Sequence, residues 1–276
     1  MSSVSSAAPQ RHGALAGRVT QARVALSEWT KLRSVRSTRW SLLVATLMTI
    51  GFPVIFSFVI SSHWGHMSPS ERAHRHPLDV AFVGVNIAQL AIGVLGVLVI
   101  TAEYSTGMIR ASLTAVPRRL PVLWAKAAVY AAVAFAVSLP AVLIAFFASQ
   151  AVLARHHILQ ISISDPGVLR AVVGGALFLT VIGVFALGLG AIVRNTAGGI
   201  AAFAGILFVL PPLMNVLPSS WNNAITPYLP SEAGRQVMAL VPASGQLSVW
   251  AGFGLFCGYA ALALAVAAFL LVRRDT

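Results

Sequence analysis

The residues of this chain best placed to act on a partner lie along 103–121, EYSTGMIRASLTAVPRRLP. Arg110, Arg118 and Arg119, with Lys126 just beyond, give this polar interruption four cations against a single acid, Glu103. Such a stretch offers ionic docking and lipid contact rather than bond cleavage. The constellations that break bonds are missing. The two lysines, Lys31 and Lys126, do not follow G-x-x-x-x-G, so no P-loop is expected and the chain is not expected to hydrolyse ATP in the usual way. There is no H-E-x-x-H, no G-x-S-x-G and no paired-glutamate motif within an apolar run. The chain is therefore expected not to be an enzyme and to carry no cofactor. Its single cysteine, Cys257, allows no internal disulfide or cysteine metal site. His63, His66, His74 and His76 crowd the segment 62–79, but Pro69 and Pro77 interrupt any helix that would present them together. A pH-sensitive surface suits them better than a metal site.

The elements that must position the 103–121 stretch are membrane helices. Residues 81–102 before it and 127–154 after it carry no charge. Each run exceeds the roughly 20 residues that a helix needs to cross the hydrocarbon core. Over all 276 residues the chain is 58% hydrophobic and 9% charged, with a mean hydropathy of +0.84. An average soluble domain is roughly 25% charged. The expected fold is an all-α integral membrane protein. Residues 1–21 read as a disordered cytoplasmic tail and 22–39 as an interfacial amphipathic helix. The domain 40–276 would cross at 40–61, 80–102, 122–153, 171–193, 198–217 and 250–272. In the interfacial helix Ala22, Ala25, Leu26, Trp29 and Leu32 share one face, with Lys31 among the polar residues opposite; a merely solvated basic segment is the plainer alternative. Pro140 lies inside the long third run, which must tilt, kink there or begin outside the membrane. Pro211 and Pro212 break the fifth, and the semi-polar 218–249 that follows is open to a re-entrant reading.

Charge sets the orientation. With both termini cytoplasmic, fourteen of the nineteen basic residues fall on the inner side, which supports that orientation by the basic-loop rule, and the multi-pass chain is expected in the cell membrane. The net charge of +12 then faces anionic lipid rather than nucleic acid. No processed signal peptide is expected. Asn86 and Gln89, three residues apart on the second run, suit interhelical hydrogen bonding or, less simply, a place on a pore wall. Glycines 174, 175, 183, 188 and 190 suit close helix packing, as do Gly254 and Gly258.

The pattern EY-x-x-G-M-I-R-x-S-L-x-A-x-P-R-R, set directly between two apolar helices, resembles the first intracellular loop of ABC-2-type transporter permeases, especially actinobacterial ones. The likeness extends from ALSEWTKLRS near the N-terminus to the last membrane helix. It implies a permease subunit of an ATP-driven exporter, working as a homo- or heterodimer in the lipid bilayer. A separate ABC-type ATPase subunit would bind ATP-Mg and push on the loop. Matched to that motif, Glu103 and Tyr104 would open the coupling loop, with Glu103 either a contact or hinge or a plain interface charge. Gly107 would permit its turn, and Met108 and Ile109 would dock. Arg110, Pro117, Arg118 and Arg119 complete the motif, the arginines meeting either partner or lipid. Two other classes stay open on the residues alone: a non-transporting scaffold or sensor subunit, and an ion-driven secondary transporter. The second is disfavoured because no ionisable residue falls in the middle of a crossing.

Overall fold

The computed structural model describes residues 21–73, 76–105, 119–158 and 160–273. Every regular element among them is helical. The main helices are α1 (Gln21–Ser34), α2 (Arg36–His63), α3 (Pro69–Ala73), α4 (Pro77–Ser105), α5 (Arg119–Arg155) and α6 (Val168–Val193). They are followed by α7 (Thr196–Ala204), α8 (Leu210–Met214), α9 (Ser219–Ile225), α10 (Pro230–Arg235) and α11 (Val249–Arg273). Six stretches are long and apolar enough to cross a membrane: Arg36–His66, Pro77–Tyr104, Leu120–Arg155, Val168–Val193, Thr196–Met214 and Val249–Arg273. The chain is an all-α membrane protein.

Helix α6 is the axis of the bundle. Of its most apolar stretch 67% is buried, against 17% for Thr196–Met214 at the periphery. It packs against α4, α5 and α11. Small residues let the backbones close in. A Cβ added at Gly96 of α4 would stand 2.3 Å from the Gly183 carbonyl oxygen of α6, and one at Gly183 would stand 2.4 Å from Tyr130 Oη. The fully buried Tyr130 of α5 donates its hydroxyl proton to the Ile92 carbonyl of α4 at 2.7 Å, so the three helices are locked at one level. Gly254 and Gly258 of α11 behave differently, since nothing lies within 4 Å of a Cβ built on either. Helix α11 turns Phe256, Ala260, Ala263 and Ala267 inward, which leaves the two glycines facing away from the bundle.

Helix α5 runs 37 residues without interruption across Pro140, about 55 Å at helical rise. The fifth crossing is instead broken. A π-turn at Gly205–Val209 joins α7 to α8, because Pro211 and Pro212 have no N–H to give the carbonyls four residues back. The segment after it forms the short helices α9 and α10 and two 3₁₀ turns, Thr226–Tyr228 and Gln236–Met238. Leu229, Ala233, Val237 and Met238 are buried, and the segment lies against α6 and α11. Arg170 in the first turn of α6 fastens it, donating to the carbonyls of Val237, Ala239 and Leu240 at 3.2, 2.9 and 3.3 Å. At the opposite end of the bundle α1, the start of α2 and the ends of α4, α6 and α11 come together, and we call it the α1 end.

Candidate functional site

The charged residues of the α1 end are drawn inward by helix phase. On α5, Leu123, Ala127, Tyr130 and Ala134 form the core-facing stripe, and Lys126 stands on the same side one residue before Ala127. On α4, Ile92, Leu95 and Glu103 are buried along one face at intervals of three and eight. Helix α1 packs across the first turns of α5 and presents Glu28 and Leu32, four apart, to them. Three elements thus deliver two acids and both of the chain's lysines to one place.

There they close a ring of alternating charge. Lys31 Nζ donates to Glu28 Oε1 at 2.7 Å and to Glu103 Oε1 at 3.1 Å. Lys126 Nζ donates to Glu103 Oε1 at 2.8 Å and also to Glu28 Oε2. Only 4% of the Lys126 side chain, 2% of Glu28 and 9% of Glu103 remain exposed, whereas Lys31 keeps 32%. The ring carries no net charge. Burial alone would push the Glu28 carboxyl up, but Lys126 and then Lys31 outweigh it and hold Glu28 below its ordinary value. Burial would likewise lower Lys31, yet the hydrogen bond it donates to Glu28 and the charge of Glu103 raise it. Both groups are therefore ionised across the neutral range.

A second tie lies at the same end. Arg194, the left-handed C-cap of α6 at φ 58°, stacks its guanidinium 5.3 Å from the centre of the Tyr104 ring. It also donates to the Leu270 carbonyl of α11 at 3.2 Å. Thr196 Oγ1 donates to Thr101 Oγ1 at 2.9 Å. The last turn of α4 is thus fixed to α1 and α5 on one side and to α6, α7 and α11 on the other.

The expected site residues fall as follows. Glu103 and Tyr104 are in the two ties just described. Gly107, Met108, Ile109, Arg110, Pro117 and Arg118 lie outside the described residues, and of Arg119 only the helical backbone is described. On α1, Leu26 and Trp29 are exposed, as a membrane-directed face would be, but Leu32 is buried. Lys31 is not on a solvent face opposite them. It turns into the bundle because Glu28 and Glu103 offer it two carboxylates. Among the described residues Gln89 bonds no other helix: its amide donates to the Asn86 carbonyl of its own helix at 2.7 Å. Asn86 Oδ1 and Gln89 Oε1 are buried without a hydrogen-bond partner among the described residues. Among the described residues no group of three or more histidine, cysteine or acidic side chains could hold a metal; His74 lies outside them.

Glu28 is the site residue that sequence reasoning missed. Its signal was present: in a chain with only seven acids, it stands three residues before one of the two lysines and four before Leu32. No family model matches the chain, and no curated protein matches it significantly.

Proposed function

We propose that this chain is the membrane-spanning permease subunit of an ATP-driven ABC exporter, and that the charge ring passes the motion of a partner ATPase to the membrane helices. One observation carries this reading. The ring joins α1 to the end of α4 and the start of α5, the two helices that lead into and out of 106–118, where the motif resembling an ABC-2 coupling loop lies. A push on that loop reaches both helix ends, and through Glu103 and Lys126 it reaches α1 and then α2. Salt bridges suit such a task, because a buried pair is held in one of a few discrete arrangements rather than sliding continuously. In this scheme the α1 end faces the cytoplasm of a cell membrane, and α1 lies at the membrane surface on Leu26 and Trp29. The short helices α9 and α10 occupy the outer leaflet, and a second permease chain completes the path. ATP-Mg belongs to the partner, and the direction of transport rests on the family resemblance.

The test is the ATPase activity of the complex purified from its native membrane, with and without substitutions in the ring. Glu103→Gln should leave the ATPase bound while reducing the dependence of its rate on the permease. Unchanged coupling in Glu103→Gln and in Lys126→Met would remove the ring from the mechanism.

A further inference from the structure

A cavity of about 350 Å³ opens beside the ring, between α1, α2, α4 and α5. Much of its wall is apolar, supplied by Leu32, Val35, Leu95, Leu98 and Val99. Beside the ring, Ser37 and Thr38 bring the start of α2 to the cavity. Val35 is the N-cap of this helix, in an extended conformation with no side-chain cap, and no acid lies in the first turn. The N–H groups of the first turn accordingly remain as donors carrying the positive end of the helix dipole. Thr38, in that turn, is only 5% exposed and lines the cavity. Its hydroxyl has no hydrogen-bond partner among the described residues, whereas Thr46 and Thr49 of the same helix each bond back to a carbonyl four residues earlier. A hydroxyl that bonds no described protein group, on a residue so nearly buried and beside an uncapped helix start, is open to a partner inside the cavity.

The charges around the cavity decide what that is. Lys31 lines it and, with two of its three protons given to Glu28 and Glu103, keeps one donor over. Glu28 and Glu103 also line it, but each is bonded to both lysines, so the ring adds no net charge. Arg33, Arg36 and Arg39 are exposed around the α1–α2 junction. An anion with a long apolar body fits this combination of cationic side chains and an apolar wall.

We propose that the cavity binds an anionic phospholipid of the bilayer. Its phosphate meets the first turn of α2, the Thr38 hydroxyl and Lys31, and an acyl chain lies along Leu95, Leu98 and Val99. The bound lipid fills the gap between α1 and the bundle and caps α2, so occupancy stiffens the α1 end. None of this depends on the chain being a transporter.

The experiment uses the full chain, purified in detergent and stripped of lipid, with thermal stability followed during titration with phosphatidylglycerol, phosphatidylcholine or inorganic phosphate. Phosphatidylglycerol should stabilise saturably, and phosphatidylcholine and inorganic phosphate much less. Thr38→Val keeps the shape and removes the hydroxyl. It should leave the lipid-free stability unchanged or raised, yet weaken phosphatidylglycerol binding about tenfold. Ala102→Leu, which builds into the cavity from α4, should weaken binding without touching a polar group, and it carries the test should Thr38→Val fail to fold. Equal stabilisation by the two lipids would overturn the anionic headgroup. Stabilisation by inorganic phosphate as strong as by the lipid would overturn the acyl-chain part in favour of a soluble phosphate. Wild-type binding in both variants would overturn the site.

Discussion

Lys126→Met tests the ring at its most buried cation. The substitution keeps the length of the side chain and its apolar stem but removes the charge that both glutamates share. What remains is Glu28 and Glu103 with Lys31 alone, a net charge of −1, and the two carboxylates are 2% and 9% exposed. At an effective dielectric of about 20, the 2.8 Å contact with Glu103 represents roughly 6 kcal/mol of attraction before desolvation is counted. Much of that offsets the desolvation of the groups, so the expected loss on breaking the ring is about 3–5 kcal/mol. The double variant Lys126→Met with Glu28→Gln returns the ring to neutrality, with Lys31 facing Glu103. It should be less destabilised than the sum of the single changes by about 1–3 kcal/mol. Unfolding of the purified chain by SDS titration, read by circular dichroism, gives all three values. A loss below about 1 kcal/mol in the single variant, or strict additivity in the double, would refute the claim that these four residues form one electrostatic unit.

The shifts of Glu28 and Lys31 fix the pH profile of the wild type. The depressed Glu28 contributes stability above the ordinary glutamate value, about 4.3, and loses it as pH falls through the lower folded value. The raised Lys31 contributes fully below the ordinary lysine value, about 10.4, and loses it as pH rises through the higher folded value. The contribution of these two groups to the melting temperature should therefore be flat between the two values, and Glu28→Gln should weaken the acid-side fall. Gly96→Ala places a Cβ 2.3 Å from a backbone oxygen that cannot move aside. It should cost about 1–3 kcal/mol in the same unfolding assay, whereas Gly258→Leu, with open space around it, should leave the unfolding of the single chain unchanged. Tyr130→Phe removes the hydrogen bond to the Ile92 carbonyl and should cost about 1 kcal/mol.

The membrane helices were legible because each is a long uncharged run, and a run of that kind has few other places to go. The centrality of α6 was foreshadowed by Gly174, Gly183, Gly188 and Gly190, which do meet neighbouring helices at short range. Gly254 and Gly258, four apart as close-packed helix glycines often are, meet nothing within 4 Å. Small residues permit close packing, but only the phase set by Phe256 and Ala260 decides which side is packed. The same limit hid the ring. Counting residues by hydropathy put Lys31 with the polar face of α1, yet a lysine follows its carboxylates, and Glu103 stands 72 positions away. Lys126 was legible as a charge at the start of the third apolar run. That it points into the core could have been read from Leu123, Ala127 and Tyr130, whose stripe it shares. Asn86 and Gln89 share a helix face by their spacing, but which helix their amides would bond depends on rotamers that spacing does not set.

The central claim is that the α1 end receives a cytoplasmic ATPase. Affinity purification of the tagged full chain from its native membrane, with identification of the co-eluting proteins and an ATP hydrolysis assay, tests it most directly. Recovery of a P-loop ATPase whose retention requires the 103–121 stretch is the predicted result. Repeated recovery of the intact chain with no ATPase, or with an ATPase that binds equally well when 106–118 is replaced, would contradict it.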